Sequence, residues 1–182
     1  MKLKWLVRDK IAISGTVLII LIMSVAIFAP YVSPYPPNEQ HVIDKLKGPS
    51  STYLLGTDQY GRDLLSRLLW AARPSLIVGL VSVSAAMFGG ILLGMIGGFY
   101  GGMVDHLVMR IVDVLLSFPS LVLGLLIAVV LGGGLNNTII AISITFIPRF
   151  ARLARGSTVS VREEYYVEAA RAMGCNSSRI FA

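Results

Sequence analysis

The sequence predicts an all-α protein, a polytopic bundle of membrane helices. Of its 182 residues, 55% are hydrophobic and only 14% are charged, whereas about a quarter of the residues of an average soluble domain are charged. Long apolar runs follow one another along the chain, and most of the charged residues lie between them. We therefore expect about four transmembrane helices, one amphipathic helix on the outer surface and one short helix at the cytoplasmic face.

Four apolar runs are each expected to form a helix, because a helix satisfies its own backbone hydrogen bonds in hydrocarbon. They cover residues 11–29, 75–99, 111–131 and 138–150. The first has 19 residues without a charge, which is longer than the ~7–15 residues of a signal-peptide core, so we interpret it as a retained anchor. Pro148 and Arg149 cut the fourth run short. We expect it to be tilted, kinked or sheltered by neighbouring helices.

The lysines and arginines are distributed unevenly between the two sides of these runs. If the N-terminus is cytoplasmic, 11 of the 16 lie inside, namely Lys2, Lys4, Arg8, Lys10, Arg110, Arg149, Arg152, Arg155, Arg162, Arg171 and Arg179. The outside then holds Lys45, Lys47, Arg62, Arg67 and Arg73. The positive-inside rule therefore predicts a cytoplasmic N-terminus. After four spans, the tail from Arg152 onward is expected to be cytoplasmic as well.

The segment between the first two runs is too polar to cross a membrane. It begins with a proline-rich stretch that we expect to be extended, at Pro30, Pro34, Pro36 and Pro37. Over residues 58–70 the leucines and the charged residues separate onto two helical faces, which predicts an amphipathic helix lying on the outer surface. Thr57 or Asp58 is its expected N-cap, and Asp63 with Arg67 its expected i,i+4 ion pair.

Glycines repeat along the second run at the spacing typical of close helix packing. Gly90, Gly94 and Gly98 form two overlapping small-xxx-small patterns, with further small residues at Ala85, Gly89 and Gly97. Such a stripe lets another helix approach closely. The alternative is that glycine is simply frequent in membrane helices. The overlap of the two patterns favours close packing.

The third run carries an acidic residue near its start and a proline farther in. Asp113 needs a partner, because an ionisable side chain in a membrane helix is costly unless it faces protein or water. Arg110 lies three residues earlier on the same face, so an interfacial ion pair is the simpler expectation, and a place in the solute path is the alternative. Pro119 is expected to bend the helix.

Composition excludes several classes of site and partner. The net charge of +6 does not indicate nucleic acid, because the cations lie between apolar runs and form no stripe interleaved with aromatic residues. The only cysteine, Cys175, has no partner for an internal disulfide. His41 and His106 stand apart from other metal-ligating residues, so neither a metal site nor a cofactor is predicted.

The tail after the fourth run contains one more predicted helix, over residues 163–173. Strong helix formers fill it, and Gly174 occupies the position of a C-terminal cap. Ala169, Ala170 and Ala172 give it a face of low relief that suits docking in a groove of another protein. Larger anchors for that docking are Tyr165, Tyr166, Val167 and Met173.

Four blocks of this sequence resemble one family of membrane proteins. Glu168-Ala169-Ala170 followed by Gly174 resembles the EAA-x-x-x-G motif of permeases of binding-protein-dependent ABC importers. Four blocks follow the order seen in the dipeptide/oligopeptide/nickel subfamily, and they are GTDQYGRDLLSR (56–67), GGFYGGMVDHLVMR (97–110), RIVDVLLSFPSL (110–121) and YYVEAARAMG (165–174). The N-terminal anchor and the proline-rich outer loop resemble the C-type subunit of that subfamily.

The resemblance implies a type I ABC importer permease in the cytoplasmic membrane, moving peptides by alternating access. It implies that residues 1–72 form an anchor and outer loop and residues 73–182 an incomplete permease domain. Implied partners are a second permease subunit (as a heterodimer), two ATPase subunits and an extracytoplasmic solute-binding protein. The sequence contains no G-x-x-x-x-G-K-[ST] phosphate loop, so the chain is expected not to be an enzyme itself.

By the same resemblance, Glu168, Ala169, Ala170 and Gly174 couple the permease to the ATPase. The alanines permit close approach, Glu168 offers a carboxylate and Gly174 permits the turn back toward the membrane. A helix that only caps the bundle is the alternative. Permeases of this family continue with a Leu-Pro pair and about two more spans, so the chain is expected to be truncated at Ala182.

Other functions stay open at this stage. The same machinery serves nickel and other small solutes, and the sequence does not separate these from peptides. An ion-coupled secondary transporter needs ion ligands near the middle of the membrane, and the only candidate, Asp113, lies near one end of its run. A membrane enzyme is disfavoured, because no paired carboxylates, metal-ligand set or Ser/His constellation is found.

Overall fold

The computed structural model describes residues 10–176 and 179–180, which form helices joined by turns and by an irregular segment over residues 33–63 with one isolated bridge between Thr57 and Asp63. Its helices are α1 (Lys10–Val32), α2 (Leu64–Tyr100), α3 (Gly102–Leu116), α4 (Ser120–Leu131), α5 (Leu135–Arg162) and α6 (Tyr165–Ala172), with a short 3₁₀ helix at Val42–Asp44. The predicted all-α class is confirmed. Lys2, Lys4 and Arg8, used above for orientation, lie outside the described residues. The chain forms two compact units, Met1–Ile77 and Val78–Ala182.

Helix α1 confirms the predicted anchor but continues past Pro30 to Val32. The extended, proline-rich stretch therefore does not begin at Pro30 as predicted, because Pro30 still belongs to the helix. Pro30 has no N–H to give to the carbonyl of Ala26, four residues earlier. The guanidinium of Arg73 fills this gap, with its Nε 2.5 Å from the Ala26 oxygen and its Nη2 3.1 Å from the Ile27 oxygen. The end of α1 is thus satisfied from within the same unit.

The outer segment between α1 and α2 is held by hydrogen bonds to the carboxylate of Asp44. The Lys47 ammonium donates to Asp44 Oδ1, and the Tyr53 hydroxyl donates to Oδ2 at 2.8 Å. The hydrogen bond from Lys47, and to a lesser extent the one from Tyr53, holds the pKa of Asp44 below its usual value. The bond to Asp44 in turn raises the pKa of Tyr53 to about 12. At neutral pH Asp44 is therefore ionised and Tyr53 is protonated, so that both hydrogen bonds can form.

The predicted amphipathic helix over residues 58–70 is wrong at its start and in its ion pair. The structure begins α2 at Leu64, and Asp63 caps it by accepting hydrogen bonds from the backbone N–H of Ser66 at 2.8 Å and from its hydroxyl at 2.6 Å. Arg67 pairs with Asp58 instead of Asp63. Asp58 also accepts from Arg62 Nε at 2.8 Å. The acidic partner of both arginines is therefore Asp58, in the turn before the helix, and not the cap residue Asp63.

Helix α2 runs through the predicted second span without a break. Its 37 residues make it about 55 Å long at 1.5 Å per residue. Because α2 is continuous from Leu64, the helical part of the expected surface helix is the first part of α2. In the described part of the chain, α1 and α2 are long and apolar enough to cross a membrane, and α3 with α4 makes a third candidate if the bent pair counts as one span. Of the four expected spans, two to three therefore meet these criteria of length and composition in the described residues.

The predicted third span is broken in two. α3 ends at Leu116, α4 begins at Ser120, and their axes differ by 93°. Pro119 is the N-cap of α4, with extended backbone angles of φ −54° and ψ 127°. Proline at this place does more than bend a helix, because it also pushes the residue before it away from helical angles. Residues 117–119 therefore form a corner between two helices.

Helix α5 contains the predicted fourth span and is much longer than expected. It continues through Pro148 to Arg162, for 28 residues. The expectation that neighbouring helices shelter the short apolar run is met at four buried positions, which are Ala141, Ser143, Thr145 and Pro148. α5 contacts α3, α4 and α6, and its side chains also meet α2 as described below. It is therefore the central helix of its unit.

Candidate functional site

Helix α6 lies directly after α5 and ends in a defined left-handed cap. Gly174 has φ +82°, a conformation that glycine adopts without strain. The Gly174 N–H donates to the Arg171 oxygen at 2.9 Å and the Cys175 N–H to the Ala170 oxygen at 3.1 Å. These two bonds are the Schellman arrangement. The structure therefore places Gly174 at the C-terminal cap, where its sequence position had suggested it.

The residues of the EAA motif face outward on α6. Glu168 and Ala169 are exposed, and Ala170 is half-buried. Tyr165 and Met173 are also exposed, with 88% and 78% of their surfaces accessible. A short helix that leaves such large apolar side chains uncovered has a surface suited to contact with another protein.

Val167 behaves differently from the other expected anchors. It is 6% exposed and lines a cavity of about 520 Å³ between α2 and α5. On the same side of α6, the guanidinium of Arg171 lies 6.0 Å from the centre of the Phe99 ring. Val167 was expected to contact a partner, and this expectation is wrong, because the side chain anchors α6 to its own chain.

Helices α2 and α5 pack through the small-residue stripe of α2. A Cβ added at Gly90 would lie 2.5 Å from Phe150 Cβ, and one at Gly98 would lie 2.9 Å from Thr158 Cβ. Between them, a Cβ at Gly94 would meet the Ala151 oxygen and would lie 2.8 Å from Ala154 Cβ. Only glycine permits this approach of two backbones. The three glycines therefore belong to one helix contact.

The stripe extends farther than the glycines. Ser82 and Ala86, eight and four residues before Gly90, are both fully buried. The Ser82 hydroxyl donates to the Ile139 oxygen at 3.3 Å, and the Ser143 hydroxyl donates to the Ser82 oxygen at 3.3 Å. Interhelical hydrogen bonds of this kind typically contribute about 0.6 kcal/mol each in a membrane protein. The sequence had pointed to Ala85, but the structure buries Ala86 and leaves Ala85 exposed.

A set of polar contacts that sequence reasoning missed joins α5 to the corner between α2 and α3. The Arg155 guanidinium forms a two-bond pair with Asp105, in which Nε lies 2.5 Å from Oδ1 and Nη2 donates to Oδ2. Arg162 Nη1 donates to the last carbonyls of α2, at 3.0 Å to Gly98 and 3.4 Å to Phe99. A cation at a helix C-terminus is favourable. We call Arg155, Asp105 and Arg162 with these carbonyls the corner clamp.

Asp113 has a partner, but not the expected one. Its carboxylate pairs with Arg152 of α5 at 2.6 Å and not with Arg110 on its own helix. Both side chains are about 60% exposed, 59% for Asp113 and 61% for Arg152. The structure thus separates Asp113 and Pro119, which lie on α3 and at the α3–α4 corner, from the exposed motif residues of α6.

Comparison with known families identifies this set of helices. Residues 90–182 match the family described as "Binding-protein-dependent transport system inner membrane component". The chain belongs to this family. Residues 3–49 of this permease-family chain also match the "N-terminal TM domain of oligopeptide transport permease C". The expected resemblance, including its C-type character, is confirmed.

Individual relatives agree with the family. The dipeptide transport system permease protein of Alkalihalophilus pseudofirmus is 41% identical over 177 residues, which cover 97% of this chain and 58% of that protein. The di/tripeptide transport system permease protein of Pseudomonas aeruginosa is 43% identical, with coverage of 95% and 59%. The glutathione transport system permease protein of Pectobacterium atrosepticum is 39% identical, with coverage of 93% and 56%. The chain spans somewhat more than half the length of these relatives.

Proposed function

We propose that this chain is part of the permease of an ATP-driven importer of small peptides, and that α6 is the element that an ATPase subunit contacts. The observation that carries the proposal is the exposed face of Glu168 and Ala169 on a helix whose end is fixed by Gly174. The helix carries only two charges, Glu168 and Arg171, and a solvated surface helix usually carries more.

The geometry of α6 fits a mechanical contact. Alanine side chains let the backbone of a partner approach closely, and the Glu168 carboxylate is free to accept a hydrogen bond from the partner surface or from the N-terminus of a partner helix. Burial of Val167 and the cap at Gly174 hold the helix in one orientation. A push on α6 is therefore passed to α5 and not absorbed by bending. ATP hydrolysis belongs to the partner subunits in this account.

Peptide is the substrate class that we propose. The relatives above are named for dipeptides, for di- and tripeptides and for glutathione. An ion-coupled secondary transporter is disfavoured by membership of the binding-protein-dependent family. It is disfavoured as well by Asp113, because its carboxylate is already paired with Arg152.

The remaining parts of the transporter are proposed from the family description together with the resemblance of the sequence blocks. A second permease subunit, two ATPase subunits and an extracytoplasmic solute-binding protein are the proposed partners. The distribution of Lys and Arg supports an N-terminus and an α6 on the cytoplasmic side of the inner membrane. The segment around Asp44 and Asp58 then lies on the outer side, where a solute-binding protein docks.

Replacement of Ala169 by Trp tests the contact at α6. We expect Ala169→Trp to reduce co-purification of the ATPase subunits with the detergent-solubilised transporter at least tenfold, because the bulky ring prevents close approach. Ala71→Trp, at an exposed alanine of α2 in the first unit, is the matched control and should leave co-purification unchanged. Full retention of the ATPase subunits in the Ala169→Trp variant contradicts the proposal.

A further inference from the structure

The junction between α5 and α6 is too short and too well bonded to act as a flexible linker. Only two residues separate Arg162 from Tyr165. The Glu163 N–H donates to the Ser160 oxygen at 3.3 Å, and the Glu164 N–H donates to the Val161 oxygen at 3.1 Å. Hydrogen bonding therefore continues from the last turn of α5 through the turn that leads into α6. A displacement of α6 must move the end of α5 with it.

The end of α5 holds the corner where α2 turns into α3. Gly101 and Gly102 form this corner with φ values of +65° and +51°, which favour glycine. A Cβ at Gly101 would lie 3.0 Å from Arg162 Nη1. The absence of a side chain at Gly101 therefore leaves room for the Arg162 guanidinium to reach the carbonyls of Gly98 and Phe99.

The two ion pairs between α5 and α3 differ in how well they can transmit force. Arg155 and Asp105 make two parallel bonds, and the Asp105 side chain is only 15% exposed. Such a fork fixes both distance and orientation. Arg152 and Asp113 make a single bond between side chains that are mostly exposed, and exposed pairs of this kind contribute little. The corner clamp, and not the Arg152–Asp113 pair, is the firm connection.

We propose that Arg155 and Arg162 are positioning residues that make α5, α6 and the α2–α3 corner move as one body when an ATPase subunit displaces α6. Arg155 acts through Asp105, and Arg162 acts through the carbonyls at the end of α2. The inference rests on the proposed contact at α6 and adds a route by which a displacement of α6 is transmitted to α2 and α3. Loss of the clamp should leave ATP hydrolysis intact and disconnect it from solute movement.

The test uses the whole transporter in proteoliposomes, with ATP hydrolysis and peptide uptake measured on the same preparation. In the Arg155→Gln and Asp105→Asn variants, we expect the number of peptides moved per ATP hydrolysed to fall about tenfold, which corresponds to about 1.4 kcal/mol and is the size expected for lost hydrogen bonds between charged groups. Co-purification of the ATPase subunits should stay at the unsubstituted level. Arg152→Gln is the matched control on the same helix, and its uptake ratio should stay within about twofold, as for exposed pairs.

The Arg155→Lys variant keeps the charge and loses the fork, so its uptake ratio should lie between those of Arg155→Gln and the unsubstituted transporter. The Arg155→Lys variant also provides the test of the corner clamp if the Arg155→Gln transporter does not assemble. An unchanged ratio of uptake to hydrolysis in an assembled Arg155→Gln or Arg155→Lys transporter overturns the inference. Equal losses in Arg152→Gln and Arg155→Gln overturn it too. Failure of ATPase subunits to co-purify with the unsubstituted permease refutes the proposed function instead.

Discussion

Replacement of Gly94 by Ala should loosen the contact between α2 and α5. The added Cβ would lie 2.8 Å from both Ala154 Cβ and the Arg155 nitrogen, whereas carbon atoms in ordinary contact are about 3.5–4.0 Å apart. Neither neighbour can rotate away, because one is a Cβ and the other a backbone atom. The two helices must therefore separate locally by about 0.7 Å or more to reach that ordinary distance.

The size of the effect follows from two opposing contributions. Overpacking of this kind costs about 1–3 kcal/mol, and the better helix propensity of alanine returns up to about 1 kcal/mol. A net loss of about 1–2 kcal/mol corresponds to a fall in melting temperature of about 2–8 °C for a protein of this size. Thermal unfolding of the purified protein in detergent micelles, followed by circular dichroism, measures it.

Gly79→Ala is the matched control, because no atom lies within 4 Å of a Cβ added at Gly79 on the same helix. Its melting temperature should stay the same or rise. A Gly94→Ala protein that melts no lower than Gly79→Ala would refute close packing at the stripe.

Three further perturbations test other parts of the structure. Arg73→Gln should lower the melting temperature by about 2–4 °C, equivalent to about 1 kcal/mol, because it removes the donor to the Ala26 carbonyl. The control variant Arg110→Gln, at an exposed arginine of α3, should leave the melting temperature unchanged. Gly174→Ala should increase amide hydrogen exchange in the last turn of α6, because φ +82° costs a residue with a side chain about 1–2 kcal/mol; an alanine at Gly156, where φ is ordinary and space is open, should leave exchange unchanged. Burial opposes ionisation of Asp58, but hydrogen bonds from the backbone N–H groups of Arg62 and Tyr60 and from the Arg62 guanidinium outweigh it and lower the pKa of Asp58 to about 2. The ionised Asp58 carboxylate therefore stabilises the folded segment above the unfolded pKa of about 4, and this stabilisation is lost as the pH falls toward 2. Limited proteolysis of the outer segment should thus show resistance at pH 5 and cleavage near pH 2, whereas pH-independent cleavage would contradict the role of Asp58.

Local pattern was enough to predict much of this fold. Apolar length alone located α1 and α2, because lipid leaves the backbone few alternatives to a helix. The repeat of Gly90, Gly94 and Gly98 pointed to a helix contact, since spacing on one helix depends only on its own sequence. The C-terminal cap at Gly174 was likewise a local feature.

Partners that lie far apart in sequence could not be predicted in the same way. Asp113 was assigned to Arg110, three residues away, but pairs with Arg152, 39 residues away. The pair of Arg155 and Asp105 spans 50 residues, and no periodicity reports such a distance. Pro119 indicated a disturbance of the helix without its size, because the 93° corner depends on how α3 and α4 both pack on α5. Burial of Val167 depends in the same way on the cavity between α2 and α5.

The side of the membrane on which α6 lies is the most direct test of the account. A variant with Cys175→Ser and Ala169→Cys carries its only cysteine on the exposed face of α6. A membrane-impermeant maleimide should label it in inverted vesicles stripped of ATPase subunits and not in right-side-out vesicles, and added ATPase subunits should block the labelling. Labelling from the outer side in intact right-side-out vesicles would place α6 beyond the reach of any cytoplasmic ATPase and contradict the proposed function.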